Sequence, residues 1–273
     1  MQKHAQKMKD FYKNNKKSSF VWYLTLRALV IAIMVLRFLR RDFESVFVCL
    51  LTLILFTIPY WINQKLKIEI PSLLEIIIFL FIFAAEILGE IQNFYGIFKY
   101  WDTILHTLNG FLCGAIGFSL IDILNNSEKF HIKLSPAFVA LVAFCFSMTI
   151  GVLWEFFEFG ADYIFKYDMQ KDRIVQTIST VTLEPEGKNK PVVIKDINKT
   201  IIYSTENGQL VENIIEGGYL DIGIIDTMKD LLVNFIGAVV FSIIGYFYIK
   251  NRGQYRFIEQ LIPIKRFSKK ENI

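Results

Sequence analysis

The sequence predicts an all-α polytopic membrane protein: six transmembrane helices, with a small β-rich extracytoplasmic loop between helices 5 and 6. Three observations carry this. Six apolar runs each reach the length of about 20 residues that crosses roughly 30 Å of hydrocarbon. Polar residues inside four of these runs recur at helical spacing. The single long connection is rich in β-branched residues bounded by turn formers.

The runs lie at roughly 20–38, 43–62, 72–92, 101–123, 136–165 and 224–249. The first has no small-residue cleavage site after it, so it reads as a span rather than a removed signal. A basic tail, 1–19, precedes helices 1 to 5 in 20–165; the loop 166–223, helix 6 at 224–249 and a second basic tail, 250–273, follow. Within the loop, RIVQTISTVTL, PVVIKDI and KTIIYS read as short strands, and EPEGKNK and TENGQ as the turns between them. Cys49, Cys113 and Cys145 all fall inside spans without CxxC spacing, which suits small core residues rather than metal ligands or disulfide partners.

Loop charge sets orientation. Lys3, Lys7, Lys9, Lys13, Lys16 and Lys17 precede span 1, Lys65 and Lys67 follow span 2, and Lys129 and Lys133 follow span 4. With Lys250, Arg252, Arg256, Lys265, Arg266, Lys269 and Lys270 after span 6, both termini are expected in the cytoplasm of a bacterial cell, with the chain multi-pass in its inner membrane. Arg37, Arg40 and Arg41, between spans 1 and 2, run against the rule. The basic segments serve as topology signals, and no nucleic-acid partner is expected.

Four spans carry polar stripes. Span 3 ends with Glu86, Glu90 and Asn93, and span 5 with Glu155, Glu158 and Asp162. Span 4 begins WDTILHTLNG, with Asp102, His106 and Asn109; span 6 begins IDTMKDLLVNFIGA, with Asp226, Asp230 and Asn234. Spans alternate in direction, so all four stripes fall in one leaflet, the outer. A carboxylate facing lipid near a span centre costs roughly 2.5–3.5 kcal/mol, less toward the interface. The stripes are therefore expected to face one another or a wet pocket. Close-packed acids need protons, metal ions or cationic partners, and the nearby candidates are His106, Lys229 and Lys99.

The bland alternative is that each acid contacts headgroups, or that Asp102 and Asp226 serve as helix starts near a favourable dipole. It fits His106, Glu155, Glu158, Asp230 and Asn234 least well, because these sit deeper or repeat a face. Asp102, Glu155, Glu158, Asp230 and Asn234 are the expected metal ligands, with His106, Glu155 and Glu158 handling protons and Glu86, Glu90, Asp162 and Asp226 behind them. With only His4, His106 and His131 in the chain, a three-histidine zinc centre in that leaflet is excluded. A carboxylate-rich set with one imidazole suits Mg²⁺, Mn²⁺ or Ca²⁺ ahead of Zn²⁺; no organic cofactor is indicated. Such a metal polarises a phosphoryl oxygen or activates water; without metal, shared-proton acids and His106 relay protons as carriers do. HExxH, GxSG and PSGH motifs are absent.

DTILH (Asp102 to His106) and DLLVNFIG (Asp230 to Gly237) resemble the D-x-x-x-H and D-x-x-x-N-x-x-G motifs of VanZ-like membrane proteins. The WEFFE box with Asp162, and the DTMKDLLVNFIGA helix, are closer to the bacterial inner-membrane family that includes YjdF. The resemblance covers spans 3 to 6 and implies a shared polar site rather than a named reaction. VanZ-like proteins usually pair the span-5 Glu with a Gln, where this chain has Glu155 and Glu158. Three readings follow: a divalent-metal-dependent hydrolase or transferase on a lipid or phosphorylated carrier, a proton- or ion-coupled transporter, and a non-catalytic envelope or resistance accessory protein. Elsewhere, Arg27 deep in span 1 is expected to pair with Glu75, and Gly110, Gly114 and Gly117 to seat span 4 against span 5 or 6.

Overall fold

A computed structural model describes residues 2–65, 68–125, 134–250 and 260–265, and for 2–17 and 264–265 the backbone alone. Lys67, Lys129, His131, Lys133, Arg252, Arg256, Arg266, Lys269 and Lys270 lie outside the described residues. Six helical segments are long and apolar enough to cross a membrane: Ser18–Leu39, Phe43–Lys65, Ser72–Ile91, Trp101–Asn125, Pro136–Phe165 and Ile224–Lys250. Their outward faces are apolar, as at Leu141, Phe156 and Leu232, which suits lipid contact. The chain is a multi-pass membrane protein.

Helix α1 (Gln2–Leu39) starts well before the first span, so the basic amino-terminal tail continues the helix. α2 (Phe43–Leu55) and α3 (Ile58–Lys65) together form the second span. Asp42 caps α2: its carboxylate accepts from the Ser45 amide at 3.1 Å and the Ser45 hydroxyl at 2.7 Å. Arg37 completes the turn, donating to Asp42 at 3.0 Å and to the Ile91 carbonyl at 3.4 Å. That structural use accounts for one arginine of the cluster that defies the charge rule. The Ser45 hydroxyl, then the Ser45 amide, hold the Asp42 carboxyl below its ordinary range. Asp42→Ala should cost about 1 kcal/mol, read as a lower midpoint in detergent melting. Because the folded pKa is depressed, the cap contributes fully above the ordinary Asp value and is lost as pH falls through the folded one.

The third span is composite. β1 (Ile68–Glu69) leads to α4 (Ser72–Ile82), which passes into a π-helical segment, Phe83–Ile91, carrying Glu86 and Glu90. The wider turn closes with the Gln92 amide donating to the Ile87 carbonyl, five residues back. Asn93 then takes a left-handed φ of 57° and is exposed, so it leaves the polar stripe to make a turn. The short α5 (Phe94–Ile97) follows, then α6 (Trp101–Asn125) and α7 (Pro136–Phe165).

Arg27 donates to the Tyr23 hydroxyl one turn back, and its guanidinium lies over the Tyr23 ring at 5.6 Å. The core around Leu26, Val30, Cys49, Phe56, Leu74 and Ile82 joins the first three spans; a second cluster, Ala115, Phe118, Val139, Ala143 and Phe241, joins the fourth, fifth and sixth. Cys49, Cys113 and Cys145 are free thiols.

Between α7 and α8 (Ile224–Lys250) the chain forms antiparallel strand pairs: β2 (Ile174–Val175) with β7 (Tyr219–Leu220), β3 (Ile178–Thr180) with β4 (Val192–Ile194), and β5 (Lys199–Glu206) with β6 (Gln209–Glu216). Asn207 and Gly208, both at positive φ, make the tight turn that joins Glu206 to Gln209 in register. β8 (Ile264–Lys265) returns to pair with β1, and Ile262 beside it enters the second core cluster. Leu261 and Ile262, just before β8, are thus buried. By internal packing the chain divides into two compact units, one of Met1–Gly151 with Asp230–Ile273 and one of Val152–Lys229.

Candidate metal centre

In the first unit, α6 and α8 touch backbone to backbone. A Cβ on Gly110 would lie 2.1 Å from the Asn234 carbonyl oxygen, and one on Gly237 would lie 2.0 Å from that of Thr107. Only glycine permits this approach. Gly114 meets Phe241 of α8 and Gly117 meets Phe146 of α7, so the small-residue face of α6 seats it on both helices. The crossing sets the register of the polar residues a turn or two away.

There, the His106 Nε2 lies 3.4 Å from an Asp102 oxygen and 3.9 Å from an Asp230 oxygen. One ligand atom from each residue lies within 4.8 Å of the other two. Asp230 is 2% exposed, so its carboxyl meets protein rather than bulk water. Asp102 and His106 are one turn apart on α6, while Asp230 comes from α8; the i, i+4 spacing and the glycine contact together build the group.

Asn234, one turn beyond Asp230, is 1% exposed. Its carboxamide oxygen accepts from Asn109 at 3.1 Å and its amide donates to the Met148 sulfur at 3.6 Å. The Ser147 hydroxyl donates to the Gly110 carbonyl at 2.7 Å, tying α7 to the same crossing. Asn234 thus works as a pin between α6, α7 and α8. Met148 and Gly151, which wall it in, carry no sequence signal of their own; the small-residue face of Gly110, Gly114 and Gly117 was the legible clue to the crossing.

The second unit holds Glu155, Glu158, Asp162 and Asp226. Glu155 and Glu158 are both buried on α7, and Glu158 accepts from the Trp154 indole at 2.9 Å. Asp162 accepts from the Met169 and Gln170 amides at 2.7 and 2.8 Å, closing the end of α7. Asp226 accepts from the Lys171 amide at 3.0 Å and from Arg173 at 2.9 Å, with Lys229 at 3.9 Å. Arg173, which sequence reading passed over, is thus the close cation of Asp226, and both acids act as clamps on 169–173. Glu86 is buried within the π-helical segment of the first unit, with Glu90 half-buried after it.

Asp221 makes a third clamp. Its carboxylate accepts from the amides of Arg173 (2.8 Å), Gly223 (3.2 Å) and Ile225 (2.8 Å), joining the β2–β7 pair to the start of α8. Burial pushes its pKa up, but these three bonds outweigh it and hold the carboxyl below the ordinary value. The stabilisation is complete above the usual Asp pKa of about 3.9 and is lost as pH falls through the folded value. Protection of the Ile225 amide, the exchange rate of an unprotected amide at the same pH divided by its own, should therefore fall on acidification in the wild type, whereas in Asp221→Asn it should be low at every pH.

The sequence profile of a family described as "Predicted membrane protein (DUF2238)" matches residues 21–251, most of the chain and all six spans. The chain belongs to that family. The chain is 32% identical over 114 residues to an "Uncharacterized protein" of Thermotoga maritima (strain ATCC 43589 / DSM 3109 / JCM 10099 / NBRC 100826 / MSB8). The match covers 41% of this chain and 57% of that protein, so the chain spans a little over half of its relative's length. No solved structure matches this DUF2238 chain.

Proposed function

We propose that Asp102, His106 and Asp230 hold one divalent metal ion and that the protein uses it as a hydrolase or transferase on a lipid or phosphorylated carrier. The supporting observation is the approach of the three ligand atoms to within 4.8 Å of one another. Donors about 2.0–2.2 Å from a shared ion stand roughly 3–4 Å apart, so the 3.4 and 3.9 Å separations fit. One imidazole with two carboxylates moves the favoured ion toward Mn²⁺ or Zn²⁺ and away from Ca²⁺. Three protein ligands leave positions for water and a substrate oxygen, as in catalytic rather than structural sites. A bound metal there supplies Lewis acidity toward a phosphoryl oxygen.

The sides of the membrane follow from loop charge: both termini in the cytoplasm, and the start of α6 in the outer leaflet of a bacterial inner membrane. The kinship in motif with YjdF-type and VanZ-like proteins is part of the same reading.

Metal analysis of the purified protein tests it. About one Mn or Zn per chain in the wild type, lost in folded His106→Ala, is the expected result. If no metal binds after loading with Mn²⁺, Zn²⁺ or Mg²⁺, the metalloenzyme reading fails. His106 beside two carboxyl groups then reads as part of a proton relay, and the proton- or ion-coupled carrier takes its place.

A further inference from the structure

In the second unit, β5 and β6 form a long hairpin, and among the described residues β5 pairs with β6 alone. Two strands by themselves are marginal in water; three or more make a stable sheet. The Asn207–Gly208 turn closes on Glu206 and Gln209, and hydrogen-bonded and open pairs alternate from there. The Gly217 amide donates to the Asn198 carbonyl at 2.7 Å, in phase with bonded pairs at the even positions of β5. Ile201, Tyr203 and Thr205 therefore turn their backbone N–H and C=O groups to the outer edge. Ahead of the strand the chain holds this edge itself, the Ile197 amide donating to the Gln176 carbonyl at 3.0 Å. Along 201–205 no other strand pairs with it among the described residues. Ile201, Ile202 and Tyr203 are 38, 46 and 60% exposed.

The residues of the edge choose what covers it. From Thr200 to Thr205 the strand bears no charge; Lys199 closes one end and Glu206 the other. Antiparallel contact between two copies puts the Lys199 end of each at the Glu206 end of the other. Centred on Ile202, it sets Ile202 against Ile202, Ile201 against Tyr203 and Thr200 against Ser204. Apolar then meets apolar and hydroxyl meets hydroxyl, the cross-strand matches that stabilise a sheet. The same register makes Ile201 and Tyr203 a hydrogen-bonded pair, so the groups it uses are the outward ones. The edge of β6 offers no such match. It carries Glu212 and Glu216, charges of the kind that keep edges from pairing. Two copies centred on Glu212 would oppose like charges, and centred on Asn213 they would set Leu210 against Glu216. We propose that β5 is a dimerisation edge, along which two copies of this chain join their hairpins into a four-stranded antiparallel sheet about a two-fold axis at Ile202. Anchorage in one bilayer holds both hairpins on the same side of the membrane and raises their effective concentration. No residue of the metal centre takes part, so neither reading depends on the other.

The test uses the full-length protein in liposomes, with Cys145→Ser removing the exposed native thiol. Ile202→Cys places two thiols on a non-hydrogen-bonded pair, where Cα atoms stand about 4.5 Å apart, within disulfide range. Under copper–phenanthroline it should form a covalent dimer at least about tenfold faster than Asn213→Cys on β6. Thr200→Cys and Ser204→Cys each lie about 13 Å from their own copy in this register, so they should crosslink only when mixed with one another. Absence of a covalent dimer in Ile202→Cys overturns the proposal, and so does an equal rate in Asn213→Cys. Tyr203→Pro removes an amide that β6 does not use, at an edge position where proline is tolerated. Single-molecule photobleaching of the uncrosslinked protein should show it as a monomer where the wild type is a dimer; an unchanged dimer overturns the proposal. Should Tyr203→Pro fail to fold, Ile202→Lys replaces it, because it opposes two ammonium groups across the axis at an exposed position and should also give a monomer.

Discussion

Alanine at His106, or alanine at Asp230, should lower the affinity for Mn²⁺ or Zn²⁺ by more than about 100-fold while the protein stays folded. Loss of an outer partner of a metal ligand alone costs 10–100-fold, and these substitutions remove a donor from a set of three. Asp102→Asn should fall between wild type and the other two, because a carboxamide oxygen still ligates hard ions and Asp102 is the most exposed of the three. Equilibrium dialysis against Mn²⁺ or Zn²⁺ measures all three. Affinities unchanged in His106→Ala would remove the imidazole from the site.

Alanine at Gly237 should be the most damaging single methyl in the protein. Its Cβ would sit 2.0 Å from the Thr107 carbonyl oxygen, and at Gly110 the corresponding distance is 2.1 Å to that of Asn234. Those obstacles are backbone, so no side chain can rotate away and the helices must part. Overpacking of this kind costs about 1–3 kcal/mol or more. The two glycines share one contact, so the double substitution should cost clearly less than the sum of the singles. Thermal unfolding in detergent reads both effects. Parting α6 from α8 also separates His106 from Asp230, so metal affinity should fall in either variant; an unchanged affinity would show that the crossing does not set the site.

The parts of the fold that depend on composition along the chain were readable in the sequence. Long apolar runs have no competing interpretation in a chain of this kind, and the Asn207–Gly208 pair announces its hairpin through local backbone preference. That carboxylates and a histidine cluster where α6 meets α8 was also legible from helical spacing, although the sequence set Glu155, Glu158 and Asn234 beside Asp102 and Asp230 as ligands, with His106 handling protons. The division of labour among the acids was not. Asp226 is a clamp because Arg173 reaches it, and Asn234 a pin because Met148 and Asn109 meet it. Such contacts join distant positions and leave no periodic trace. The π-helical turns at Phe83–Ile91, and the left-handed turn at Asn93 that follows them, have no residue signature either. β8, two residues long, carries no alternation to read.

The β1–β8 pair has a bearing on how the protein is made. Ile68 leaves the ribosome long before its partner Lys265. At a synthesis rate of about 5–20 residues per second the delay is roughly 10–40 s. The first five spans have by then long left the ribosome, while the segment that carries Glu69 still lacks its partner. The β1–β8 pair is thus completed last, and a released chain truncated before Ile264 should still insert yet leave Ile68 and Glu69 unpaired by β8.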